Sequence, residues 1–157
     1  MNEGPTIDQR LHFVATTAIV VKAGRFLIAK RAGWEKMHPN RWTVPGGKLK
    51  LDEYKAAPMF FNQYYNVAGW VVKKEVKEEV GLEIDDPKYV CDLVAIRPDG
   101  YPVLVISYWA NHKNGEVKLS DELTDHAWVT LEEAKNYDLI EGIWDELKIV
   151  AGLIKQT

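Results

Sequence analysis

The residues best suited to chemistry in this 157-residue chain lie in Lys73-Lys74-Glu75-Val76-Lys77-Glu78-Glu79-Val80-Gly81-Leu82. Glu75, Glu78 and Glu79 stand at i, i+3 and i+4, so a helix would carry all three carboxylates on one face. The spacing of Val72, Val76 and Val80 predicts that helix, and Gly81 falls where a left-handed C-cap is expected. As a solvated helix the segment is poorly arranged. Glu75 repels Glu79 at i,i+4, Lys73 repels Lys77, and Lys74 with Glu78 runs in the weaker orientation, each worth roughly 0.2–0.5 kcal/mol. Carboxylates near the negative C-terminal end add to the cost. A cation over that face would reverse the balance, and oxygen-only donors suit a hard divalent ion, Mg2+ or Mn2+. The plainer reading of the segment by itself is a charged face open to water.

Upstream, Trp42-Thr43-Val44 reads as a short strand that Pro45-Gly46-Gly47 breaks. Two glycines allow a sharp turn and a close approach of backbone carbonyls to a ligand. Taken together, the two stretches resemble the signature of the Nudix hydrolase family: Gly, five residues, Glu, seven residues, then Arg-Glu-apolar-x-Glu-Glu-x-Gly-apolar. Gly47 is followed by five residues and Glu53, and Lys74 to Leu82 matches the far end with Lys74 in place of Arg. Twenty residues separate Glu53 from Lys74, and the excess is read as an insertion over 54–66, with the helix starting near Asn66 as N-cap. Lysine for arginine exchanges a planar fork for a point charge.

The resemblance implies an α+β fold, an α/β/α sandwich with a central mixed sheet. It implies metal binding by Glu75, Glu78 and Glu79 with the Gly46 carbonyl, structural support from Glu53 and Lys74, and Mg2+ (or Mn2+) as cofactor. Glu75, Glu78 or a carboxylate of a later loop, Glu122 or Asp121, would serve as base; the two loop acids could equally be solvated. The implied reaction is metal-dependent hydrolysis of a phosphoanhydride in a nucleoside diphosphate linked to another group. A (deoxy)nucleoside triphosphate is the first expectation. ADP-ribose, a nucleotide sugar or a dinucleotide is the alternative, and a non-catalytic nucleotide-binding regulatory domain is a reading of another class. Crowded glutamates without metal should resist full ionisation.

Around these residues, Lys30 and Arg31 could reach substrate phosphates or serve as surface charge. Trp34 and Trp42 could stack a base or simply pack, and Gly47 could let substrate approach the backbone. Phe60, Phe61, Tyr64 and Tyr65 in the insertion suggest a pocket lid, a homodimer contact or packing onto the domain. His38, His112 and His126 lack metal-ligand spacing and are read as structural or exposed.

The elements that must position these groups follow the chain. Residues 1–10 read as a loose arm. Strands are expected over 13–21 and 25–31 about a turn at Lys22-Ala23-Gly24, then over 82–84, 89–97, 103–110 and 127–129. Val103 to Ala110, apolar on alternating faces, suggests a strand covered on both sides. Arg97-Pro98-Asp99-Gly100 and Asn114-Gly115 mark turns. Thr130 with Glu133 forms a capping box for a helix from Leu131, and Ile143, Leu147, Val150 and Ile154 stripe a last helix.

With 46% apolar and 27% charged residues the chain suits one domain over 1–157. Such a length buries roughly 70% of its unfolded surface. The net charge of -3 argues against a nucleic acid or an anionic membrane as main partner. A small nucleotide is the expected partner. Cys91, the single cysteine, is expected in the core, and a reduced cytoplasm is the expected compartment. The first residues do not read as a signal peptide, and no apolar run reaches spanning length.

Overall fold

The computed structural model describes residues 8–156; residues 1–7 of the expected arm lie outside the described residues. Residues 8–10 form a turn closed by an Asp8–Arg10 ion pair at 2.6 Å. Strand β1 (Phe13–Lys22) and β2 (Arg25–Arg31) make the expected hairpin. Ala23 and Gly24 take φ of 50° and 75° between them, the two left-handed residues whose twist matches that of paired strands.

Next come β3 (Trp42–Thr43), β4 (Gly46–Lys48) and a single turn α1 (Leu51–Tyr54). The segment read as an insertion holds a small hairpin, β5 (Met59–Phe60) and β6 (Gln63–Tyr64). Helix α2 (Val67–Val80) leads to β7 (Glu83–Ile84), β8 (Lys88–Ile96), β9 (Pro102–Asn114) and β10 (Leu123–Val129). One turn α3 (Leu131–Ala134) and α4 (Ile143–Ile154) finish the chain.

The sheet runs β10-β2-β1-β9-β7, with β3 on β2, β4 on β1 and β8 on β9. Among the named strands of the described residues β1 and β9 alone pair in parallel, so the sheet is mixed. Alternation along β1 and β2 builds two cores. Ala18, Val20, Leu27 and Ala29 meet Val72, Val76 and Val80 of α2. Ile19, Val21, Phe26 and Ile28 meet Leu147 and Val150 of α4. This is the α/β/α sandwich that the sequence implied. The three α2 valines are fully buried, each contributing roughly 1.5–3 kcal/mol.

Several expectations need correction. Pro45-Gly46-Gly47 does not turn sharply: Gly46 and Gly47 lie in β4, opposite Thr17 and Thr16. Asn66 does precede α2, but at φ 56° its side chain makes no cap hydrogen bond. Thr130 Oγ1 accepts from the Glu133 N–H at 3.1 Å, while the Glu133 carboxylate goes to Arg25 and not back to the cap. The helix it starts is one turn long. Cys91 is half-buried and not a core residue, its Sγ 3.6 Å from Glu146 Oε1. Over 103–106 β9 is half-buried and not covered on both sides as expected; its buried residues are Ser107, Trp109 and Ala110. Among the described residues no helix is long and apolar enough to cross a membrane.

Candidate functional site

β1 changes neighbours along its length. It pairs with β2 at Val21 and Lys22 but with β4 at Ala15 to Thr17. Beside this split, between β4 and α2, lies a cleft of about 710 Å3.

Helix α2 supplies its acidic wall. Val72 and Val76 anchor one side of the helix in the core, and Glu75, one turn before the C-terminal end, is itself buried. Gly47 explains how it fits. A Cβ there would lie 2.4 Å from Glu75 Cδ, and one on Gly46 would lie 2.2 Å from the Thr16 carbonyl oxygen. Neither glycine has a positive φ. Both are required by close approach, with the carboxyl of α2 filling the volume a side chain would take. The Gly46 N–H donates to Glu79 Oε2 at 3.1 Å, so β4 also orients the last glutamate.

Glu53 reaches α2 despite the residues between them. Lys74 Nζ lies 2.5 Å from Glu53 Oε2 and 2.6 Å from Glu78 Oε1, bridging α1 to α2. The Lys74 pKa is raised by these two carboxylates, which keeps the bridge charged. Carboxylate oxygens of Glu53, Glu75 and Glu78 lie within 4.8 Å of one another. The grouping therefore includes Glu53, expected as support, while Glu79 is held aside on the Gly46 N–H.

The electrostatics are those of an under-neutralised acidic site. Burial pushes the Glu75 carboxyl up to about 7, helped by the charges of Glu53 and Glu78. Burial pushes Glu79 up to about 8, with Glu75 and Glu122 adding to it and the Gly46 N–H and Arg31 opposing it. Among the described residues Lys74 is the one cation bonded within the cluster. Carboxylates crowded to the point of holding protons near neutrality, with no nitrogen or sulfur ligand, are a donor set for a hard divalent cation.

The remaining candidates divide by strand parity. Arg31 continues the Leu27–Ala29 row and lines the cleft, its Nε donating to the Met37 carbonyl at 2.9 Å and its guanidinium 3.3 Å from Glu35. Lys30 belongs to the other face, in the Phe26–Ile28 row. Trp42, paired with Lys30, packs edge-to-face on Tyr137 at 4.7 Å. Trp34 is 66% exposed and outside the cleft. Asp121 and Glu122 line the cleft, just after Lys118 and Ser120, whose N–H groups donate to the Val80 and Glu79 carbonyls at the end of α2. The sequence reading did not single out Lys48 and Lys50, which also line it. Their spacing of two, directly after Gly47 on a strand end, was the available signal. The aromatics of the β5–β6 hairpin do not line the cleft; Phe61 is 91% exposed, and Tyr64 packs on Tyr54 at 5.2 Å.

No protein-family model matches the chain. It is similar to the nucleoside triphosphatase NudI of Klebsiella pneumoniae, 23% identical over 143 residues that cover 82% of this chain and 89% of that protein. NudI of Escherichia coli K12 is 23% identical over 132 residues, covering 77% and 84%. Among solved structures, a MutT protein from Methanosarcina mazei superposes with a TM-score of 0.71 at 21% identity, covering 93% of this chain and 96% of that one. An ADP-ribose pyrophosphatase from Streptococcus suis superposes with a TM-score of 0.65 at 20% identity, covering 92% and 93%.

Proposed function

Because the chain belongs to the Nudix hydrolase family, we propose that it is a divalent-cation-dependent nucleoside triphosphate pyrophosphohydrolase. The observation that carries this reading is the carboxylate group of Glu53, Glu75 and Glu78, packed against a glycine strand at the wall of an open cleft. Glu75 and Glu78 would hold the cation, with Glu53 beside them. Glu79 and the Gly46 carbonyl are the further donors proposed. A divalent cation bound there would offset phosphate charge and lower the pKa of a water molecule.

The chain's own residues account for the rest. Lys74 fixes the separation of Glu53 from Glu78, so that the two halves of the cluster stay in register. Arg31 and Lys50, which line the cleft, present positive charge to the triphosphate oxygens. Glu122 accepts a proton from the attacking water; it is the base proposed because it lines the cleft beside Glu79. The nucleoside triphosphatase relatives favour a triphosphate. The ADP-ribose pyrophosphatase among the similar structures keeps a linked nucleoside diphosphate as the second reading.

The test is incubation with Mg2+ and a panel of nucleotides, followed by product identification. Release of pyrophosphate and a mononucleotide from triphosphates is expected, with loss of several orders of magnitude in rate on Glu78→Gln. Full turnover in excess chelator would count against the reading. Cleavage of ADP-ribose in preference to triphosphates would favour the second substrate class.

A further inference from the structure

Thr16 is fully buried in β1, and its hydroxyl has no hydrogen-bond partner among the described residues. An unpaired buried hydroxyl costs roughly 1–3 kcal/mol, and such groups are uncommon enough to need a reason. The strand register identifies what it stands beside. Thr16 is directly opposite Gly47. Side chains of such a pair share a face, with Cβ positions about 4.5–5.5 Å apart. The Cβ position of Gly47 is taken by Glu75, whose Oε2 lies 2.5 Å from it. Thr16 therefore flanks the Glu75 carboxyl, and both border the cleft. The row it begins continues with Ala18 and Val20, which meet Val72, Val76 and Val80 of α2, and the Glu75 carboxyl is the polar group nearest the Gly47 Cβ position.

A carboxylate that ligates a cation is commonly held in place by hydrogen bonds to its other lone pairs. We propose that Thr16 is the positioning residue for Glu75: its hydroxyl donates to the Glu75 carboxylate when a divalent cation occupies the site, leaving the other oxygen turned to the cleft. Closing that contact satisfies a donor that is otherwise stranded. This rests on the cation-dependent reading of the site given above. A threonine kept only for strand packing would gain nothing from its hydroxyl.

The test compares Thr16→Val, Thr16→Ser and Thr16→Ala with the full-length wild type. Cation affinity is read by calorimetric titration with Mg2+ and Mn2+, and thermal stability is read in chelator. Valine keeps the branched shape and removes the stranded group, so the cation-free Thr16→Val protein should melt no lower than wild type. Its cation affinity should fall about tenfold, which is 1.4 kcal/mol. Serine keeps the hydroxyl and should bind within about twofold of wild type, a rescue that loss of packing would not give. Alanine supplies a second hydroxyl-free variant and should bind as weakly as valine. Wild-type affinity in Thr16→Val, or equal weakening in Thr16→Ser, overturns the assignment while leaving the proposed function standing. A wild-type protein that binds neither cation overturns both.

Discussion

Replacing Glu79 with glutamine should stabilise the cation-free protein, and increasingly so as pH rises. Glu79 is raised from 4.5 to about 8. Below pH 4.5 both folded and unfolded chains hold the proton, and this group contributes no difference. Between 4.5 and 8 the folded chain keeps a proton that the unfolded chain has released, so unfolding free energy falls as pH rises, by at most 1.36 kcal/mol per pH unit. Carried to pH 8, the loss is roughly 4 kcal/mol. Glutamine has no such titration and keeps a carbonyl oxygen for the Gly46 N–H. The gap between Glu79→Gln and wild type should therefore widen from near zero at pH 4.5 to about 4 kcal/mol at pH 8, roughly 8–16 °C in Tm for a chain of this size. Denaturant unfolding in EDTA at pH 5, 6.5 and 8 measures it. Saturating Mg2+ at pH 8 should recover stability in wild type and much less in the variant. Parallel pH profiles for the two proteins in EDTA would refute the reasoning, since they would mean that Glu79 ionises in the folded chain at no cost.

Other outcomes follow from the same geometry. Gly47→Ala sets a Cβ 2.4 Å from Glu75 Cδ and should displace that carboxyl, costing more than tenfold in kcat/KM while far-ultraviolet circular dichroism stays unchanged. Lys74→Met breaks both ion pairs of the bridge and should weaken cation binding in calorimetry. Lys74→Arg, which restores a fork able to span both carboxylates, should bind at least as tightly as wild type. Phe61 holds φ 50° with its side chain 91% exposed; Phe61→Asn, suited to that conformation, should raise stability by about 0.5–1 kcal/mol in urea unfolding.

What the sequence made legible was periodic or local. The valine stripe of α2, the Gly81 cap at φ 74° and the Ala23-Gly24 hairpin depend on neighbours a few residues away, and the structure has them. The role of the glycine pair was not legible. Its cause is the carboxyl of Glu75, far along the chain, so a local reading could only offer a bend. Strand parity was equally hidden at Lys30 and Arg31: adjacent residues must face opposite ways, but nothing nearby says which faces the cleft. Trp42 shares that fate, since its face is set by pairing with Lys30. The twenty residues between Glu53 and Lys74 do not reveal that the two meet. Closing a longer loop costs only about 0.6 kcal/mol for each doubling, which two short ion pairs to Lys74 can offset.

That lysine bridge has a consequence for how the chain can be rebuilt. Since Lys74 ties Glu53 to α2 from the far side of the intervening residues, the β5–β6 hairpin is a detour that starts and finishes at the same place. Its tip turns outward through Phe61 and Asn62. The chain thus carries a natural port for grafted sequence, one where a reporter peptide or an added loop could be spliced in a short step from the acidic cluster without lengthening any path through the sheet.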